Sequence, residues 1–329
     1  MKLILPTLFI LIVFSGCKKE FSEEFHVYNN GLNDVEWRIQ SNSNDPTNEI
    51  TAILSNDFPV LVDTLNTDSS RTLKLNDSLS ISFTGLAGNG TAPGSSINGT
   101  IVVKLIHLKK KGDFIKFAKP TTSFNRLLHT SGAFNTMLYK NGQPIHLDSI
   151  TKYNIAYLFA NNTNMMRYFY EDSITNSLDT IKTWFQSNYY GGVYPYQFVD
   201  SITNIVNKGY NIYSRKLNWI SSNNYHDSTL PSTSVHVKLP ANFNNTNSLV
   251  YAVFNNQATI VRLKPNIAAK EFTFEKIPLN SNLTFVVVNK IGNDLFLGTS
   301  VHTVTNSNVI NITPQTRTLN FIQAYLDSL

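Results

Sequence analysis

The chain has 329 residues, 42% of them hydrophobic and 12% aromatic, a composition that builds cores and excludes a disordered coat. Charged residues are only 15%, against about 25% in an ordinary globular protein, and Asn, Ser and Thr fill the deficit. The net charge is +5, but the basic residues are scattered, without the basic face or stripe that nucleic-acid binding requires.

The first element is an address. Met1-Lys2 gives a positive start, and Leu3 to Phe14 is apolar apart from Pro6 and Thr7. A bilayer-spanning helix needs about 20 apolar residues, so this segment has the length of a signal-peptide core. Phe14-Ser15-Gly16-Cys17 follows, with small residues ahead of the only cysteine. That cysteine has no partner for an internal disulfide. The segment resembles the lipobox of bacterial lipoproteins, with Phe14 where Leu is more usual. The resemblance implies removal of a signal peptide, residues 1–16, and acylation of Cys17. Several acyl chains hold a protein stably to a lipid bilayer. The expected location is the outer membrane, on its periplasmic or cell-surface face. Residues 17–50 read as a lipidated tether and loop, charged at its start and turn-rich at Asn42 to Pro46.

Strand patterns dominate the rest. Leu79–Phe83 alternates apolar and polar, and Thr100–Leu108 is longer and more apolar. Lys109-Lys110-Lys111-Gly112 after it reads as a hairpin tip. Lys152–Phe159 is another strand, whereas Asp179–Gln186 reads as a short helix. Ser234–Leu239 alternates cleanly, with Val235, Val237 and Leu239 on one face. Ser248–Phe254, Ala258–Lys264, Phe272–Ile277, Leu283–Ile291 and Asn308–Thr313 complete a series of short strands separated by Asn, Gly or Pro turns. Such spacing predicts antiparallel sandwiches. Leu319, Ile322, Leu326 and Leu329 fall on one helical face, with Thr318 placed to cap it. The expected fold is mainly β: two antiparallel sandwich-type domains and a short C-terminal helix. The domains are predicted at 51–170 and 236–329, joined by a Tyr/Asn-rich connection, 171–235.

Gly99–Leu105, Lys119-Pro-Thr-Thr122, Leu127-Leu-His-Thr-Ser-Gly-Ala-Phe134 and Tyr139-Lys-Asn-Gly-Gln-Pro-Ile145 follow one another in an order that resembles ZU5-like β domains of exported bacterial proteins. Ala133 stands where that family has a second glycine. Trp219-Ile220 and Tyr225 are similar to a later segment of the same proteins. Phe272-Thr-Phe-Glu-Lys-Ile-Pro278 resembles transthyretin-like or carboxypeptidase-regulatory sandwiches. The resemblance implies architecture and no activity.

Signatures of chemistry are few. The seven histidines, at 26, 107, 129, 146, 226, 236 and 302, include no His-Glu-x-x-His zinc spacing. No Gly-x-Ser-x-Gly elbow and no phosphate-binding glycine loop occur. Asp63, Asp68, Glu171, Asp172 and Asp200 lack a context that marks a carboxylate pair. No catalytic, metal or cofactor residue is therefore assigned. One segment is unusual: Tyr189, Tyr190, Tyr194 and Tyr196 surround Gly191-Gly192. Tyrosine rings offer flat apolar faces with a polar tip, suited either to a binding loop or to covering a joint between domains, with Trp184 and Trp219 nearby. The leading expectation is a non-catalytic anchored lipoprotein with a binding, adaptor or structural role, its partner an envelope protein or a glycan. An extracellular hydrolase of glycan or peptide is the alternative.

Overall fold

The computed structural model describes residues 37–38, 46–67, 72–84, 99–147, 151–160, 163, 165–175, 180–199 and 205–329. Cys17, the segment read as a signal peptide and most of the stretch read as a tether lie outside them, as do Asp68 and Asp200. The described residues fall within one compact unit, Asp34–Leu329.

The protein is mainly β, and its described residues form four sheets and three short helices. One eight-stranded antiparallel sheet runs in the order Leu61–Asn66, Thr100–Leu108, Arg126–Lys140, Asn218–Tyr225, Arg167–Thr175 and Thr180–Gln186, with two short strands on the long central one. A five-stranded antiparallel sheet faces it, in the order Gly191–Val199, Val206–Ser214, Lys152–Leu158, Leu79–Thr84 and Thr72–Asn76. Alternate residues from both sheets, among them Ile81, Val103, Phe134, Tyr157, Tyr168 and Ile212, fill the core between them. The second sandwich packs a four-stranded sheet on a five-stranded one. Its core holds Val235, Val237, Phe272, Phe285 and Val287.

A third core joins the two sandwiches. The outer face of the eight-stranded sheet gives Ile106, Leu108, Phe169 and Trp184, and the second sandwich gives Leu249, Tyr251, Val286 and Val288. Between them lie Ile50 and Leu54 of the helix Thr47–Ser55, Phe114 and Ile115 of the helix Lys111–Lys116, and Ile322 and Leu326 of the helix Leu319–Asp327. Ser248–Phe254 thus has a core on each face and is buried at all seven positions. That explains the unbroken apolar run Leu249–Phe254.

The C-terminal helix forms with Thr318 as its cap, the hydroxyl accepting from the Phe321 N–H. Other expectations change. Lys109–Lys111 is not a hairpin tip. Asp113 Oδ2 accepts from the N–H groups of Lys109 and Lys110 at 2.9 and 2.8 Å, so the lysines open a helix. The predicted helix over 179–186 is not formed by its described residues, 180–186. Thr180–Gln186 is an edge strand on Arg167–Thr175, in keeping with its β-branched residues. Residues 171–225 contribute strands to both sheets of the first sandwich. Trp37 and Arg38, in the stretch read as tether, touch the second sandwich. The Trp37 ring lies 5.1 Å from Phe272, and the Arg38 N–H donates to Asn245 Oδ1 at 3.1 Å.

Candidate binding surface

The tyrosine run sits on the first sandwich, at the edge of its five-stranded sheet. Trp184 and Trp219 belong instead to the joint between the sandwiches. Gly191–Val199 is the edge strand and pairs with Val206–Ser214, placing Gly192 opposite Tyr213 and Tyr194 opposite Asn211.

Two tight loops aim the side chains. In the first, the Ser187 hydroxyl oxygen accepts from the N–H groups of Tyr189 and Tyr190, each at 3.1 Å, a local cap typical of serine turns. In the second, the Ser214 hydroxyl donates to the Lys216 carbonyl at 2.9 Å and accepts from the Lys216 N–H at 3.0 Å. Its only proton is used there, so the Tyr168 hydroxyl donates to Ser214 across 2.8 Å. Tyr153 donates to the same Lys216 carbonyl at 2.7 Å. Both tyrosines are buried, and burial raises both phenols, Tyr153 to about 12. They remain protonated donors across the physiological range. The Arg215 N–H then donates to the Tyr190 carbonyl at 2.8 Å, which ties the two loops together. The core thereby fixes the turn that carries Arg215 and Lys216.

These loops border an open groove of about 540 Å³ lined by Lys152, Asn188, Tyr189, Tyr190, Tyr194, Asn211, Tyr213 and Arg215, together with Gly191, Gly192 and Ser214. Tyr189 is 72% exposed and Tyr194 59%. Tyr190 is half-buried against the first core. Tyr196 is also half-buried, and burial raises its phenol. Glycines let two rings lie close to the sheet. A Cβ at 192 would stand 2.9 Å from the Tyr194 ring, and one at 209 would stand 3.0 Å from the Tyr196 ring. Gly191 passes so near the Tyr168 ring that a Cβ there would fall 2.6 Å from it.

Cations interleave with the rings. The Arg215 guanidinium lies 5.5 Å from the Tyr189 centroid. The Lys216 ammonium lies 4.1 Å from Tyr170 and 4.4 Å from Tyr190, and it meets Asp172 at 3.7 Å. From the groove the aromatic contacts continue outward: Tyr189 to Tyr190, Tyr190 to Tyr170, Tyr170 to Phe185 and Phe185 to Phe124, with centroids 5.0–5.9 Å apart. Phe124 ends the strip 55% exposed, in a left-handed backbone conformation at φ 56°. Such a conformation is unusual for a bulky residue.

Other candidate groups are engaged elsewhere. Glu171 is paired with Lys119, and Asp63 accepts from the Thr64 N–H. His236 meets Glu271 at 2.7 Å and His302 meets Asn308 at 3.1 Å. A second groove of about 470 Å³ is lined by His107, Lys110, Asp113, Lys116 and Asp327 among others. There Lys116 pairs with Asp327 at 2.6 Å, and Asp113 is engaged in capping the helix. Among the described residues no three His, Cys, Asp or Glu side chains gather as a metal site would need.

The tyrosines of this surface are a contiguous run, visible in one dimension. Lys152, Asn211, Tyr213, Arg215 and Lys216 are not, because strand register brings them together. The adjacency of Tyr213, Arg215 and Lys216 was the only local signal for them. No family model, curated protein or solved structure matches the chain.

Proposed function

We propose that the chain is a lipid-anchored protein of the outer membrane, without a catalytic role, and that the tyrosine groove is the surface by which it binds a glycan or an envelope protein. The anchor rests on the lipobox-like Phe14-Ser15-Gly16-Cys17 and the uniqueness of Cys17. The observation that supports recognition is the exposure of Tyr189 and Tyr194 around one groove. Large apolar groups gathered at a surface are uncommon unless something covers them. Here the backbone of Tyr189 and Tyr190 is held by the Ser187 hydroxyl and the Arg215 N–H, and Tyr194 stands on a paired strand, which favours a preformed surface over one a partner must order.

Two measurements test the proposal. Cys17→Ala is expected to release the protein into soluble fractions and to abolish labelling by a clickable fatty acid; persistent labelling would overturn the anchor. For the groove, wild-type protein and a Tyr189→Ala/Tyr194→Ala variant are compared on a glycan array and by co-purification from membranes. The variant should keep its melting temperature and lose about tenfold or more in affinity, the scale of losing well-placed aromatic contacts. Equal binding by both proteins would overturn the assignment of the groove.

A further inference from the structure

We infer that the groove takes an acidic polysaccharide, a polymer whose sugar rings lie on the tyrosines and whose uronate carboxylates meet Arg215 and Lys152; this rests on the groove being the recognition surface.

The charge balance of the lining carries the inference. Its described residues include two cations, Lys152 and Arg215, and no carboxylate. Neither cation has an ion-pair partner among the described residues. The third cation, Lys216, differs because Asp172 already faces it at 3.7 Å. Two open cations beside exposed rings complement a ligand that is both flat-faced and anionic. Arg215 is especially suited. Its guanidinium stands 5.5 Å from the Tyr189 ring centroid, and a planar guanidinium can grip a carboxylate with two parallel bonds.

The rest of the lining fits a sugar better than another anion. Asn188 and Asn211 supply amide donors and acceptors for hydroxyl groups. Tyr189 and Tyr194 line the groove and are exposed, and tyrosine rings offer apolar faces for stacking against a pyranose. Two cations are too few for a nucleic-acid footprint, which needs a basic stripe. The groove is open to solvent, and Tyr190 in its lining contacts Tyr170, which in turn contacts Phe185, so further rings lie beside it for a ligand longer than a single small molecule.

The test uses the full soluble chain from residue 18 onward and calorimetric titration with polygalacturonate, alginate and hyaluronate, each also as its methyl ester, with polyglutamate as a polyanion lacking sugar rings. At least one acidic polysaccharide should bind roughly tenfold more tightly than its own ester and than polyglutamate, the factor expected for one charge-assisted contact. That preference should shrink in Arg215→Gln and Lys152→Gln, and affinity should fall as salt is raised. Tyr194→Ala should weaken acid and ester alike. If an ester binds as tightly as its acid, or Arg215→Gln and Lys152→Gln both leave the preference intact, the acidic class is overturned and the tyrosine surface stands. Equal binding to polyglutamate also overturns it, as a general attraction of polyanions. Should no polysaccharide bind while a protein is retained by wild-type chain and lost by the Tyr189→Ala/Tyr194→Ala variant, the glycan class falls and the groove remains a recognition surface. If nothing is bound and the tyrosine variant is indistinguishable in every assay, both readings fall.

Discussion

Lys119 and Glu171 form a closely buried ion pair, with side chains 11% and 16% exposed. The ammonium meets both carboxylate oxygens, at 2.5 and 2.7 Å, and lies 5.1 Å from the Trp219 ring. Burial pulls the lysine below its ordinary pKa, and Glu171 only partly opposes that pull. A neighbouring bond fixes the same loop: the Trp184 indole N–H donates to the Pro120 carbonyl at 2.9 Å. Glu171→Gln keeps the side-chain shape but leaves the ammonium without its counter-charge. We expect a loss of about 3 kcal/mol in urea unfolding, the scale measured when one member of a buried pair is removed. Lys119→Met combined with Glu171→Leu should recover most of it, because apolar groups of similar size commonly replace such pairs at little cost. A double variant as unstable as the single would show that shape, rather than charge, is what the site requires.

Among elements, the helices at the joint show most clearly what a pattern can and cannot reveal. Ser248–Phe254 is legible because a strand between two cores is buried on both faces and apolar from Leu249 onward, and Thr100–Leu108 because its apolar residues are interrupted only at Lys104 and His107. Leu319–Asp327 is legible because its apolar stripe and cap are both local. Lys111–Lys116 is not. It has only six residues, it follows a lysine run, and its burial comes from helices distant in sequence. The binding surface divides in the same way: the tyrosines are a run in the chain, whereas Arg215 reaches Tyr189 only through the folded loops. Gly112 exposes the tertiary origin of the short helix. A Cβ at this position would overlap the backbone carbonyl of Leu326 in the C-terminal helix, so the glycine permits the two helices to touch. Gly112→Ala should gain up to about 1 kcal/mol in helix propensity. Overpacking against backbone costs roughly 1–3 kcal/mol, and backbone cannot rotate away as a side chain can. The expected outcome is a net loss of about 1–2 kcal/mol in chemical denaturation. A variant as stable as wild type would mean that the helices do not approach this closely.

At the scale of the molecule, the two sandwiches are joined by polar bonds as well as by the helical core, and one of those bonds titrates. Thr121 N–H donates to the Ile260 carbonyl at 2.7 Å, and Thr130 N–H to the Ala258 carbonyl at 3.0 Å. The Thr259 hydroxyl donates to the Leu128 carbonyl at 2.9 Å, which leaves its oxygen to accept from His226 Nε2–H, also at 2.9 Å. His226 therefore serves the joint as a neutral ring. Burial first, and the nearby His129 second, push its pKa from the ordinary 6.5 to about 4. His129 is itself lowered by burial. The unfolded chain takes up a proton on such a histidine as pH falls through 6.5, and the folded chain does so only near 4. Between those values the unfolded state binds more protons, so stability rises with pH there and is lost on acidification. We expect a melting temperature that is flat above about pH 7 and declines between pH 6.5 and 5, a window chosen above the carboxylate range. His226→Gln retains an amide donor for Thr259 without the ionisation. Its profile should be shallower over that window, with the remaining slope coming from His129 and from His107, which burial also holds well below its ordinary value. An unchanged slope in His226→Gln would place the acid sensitivity elsewhere than at this contact between the sandwiches.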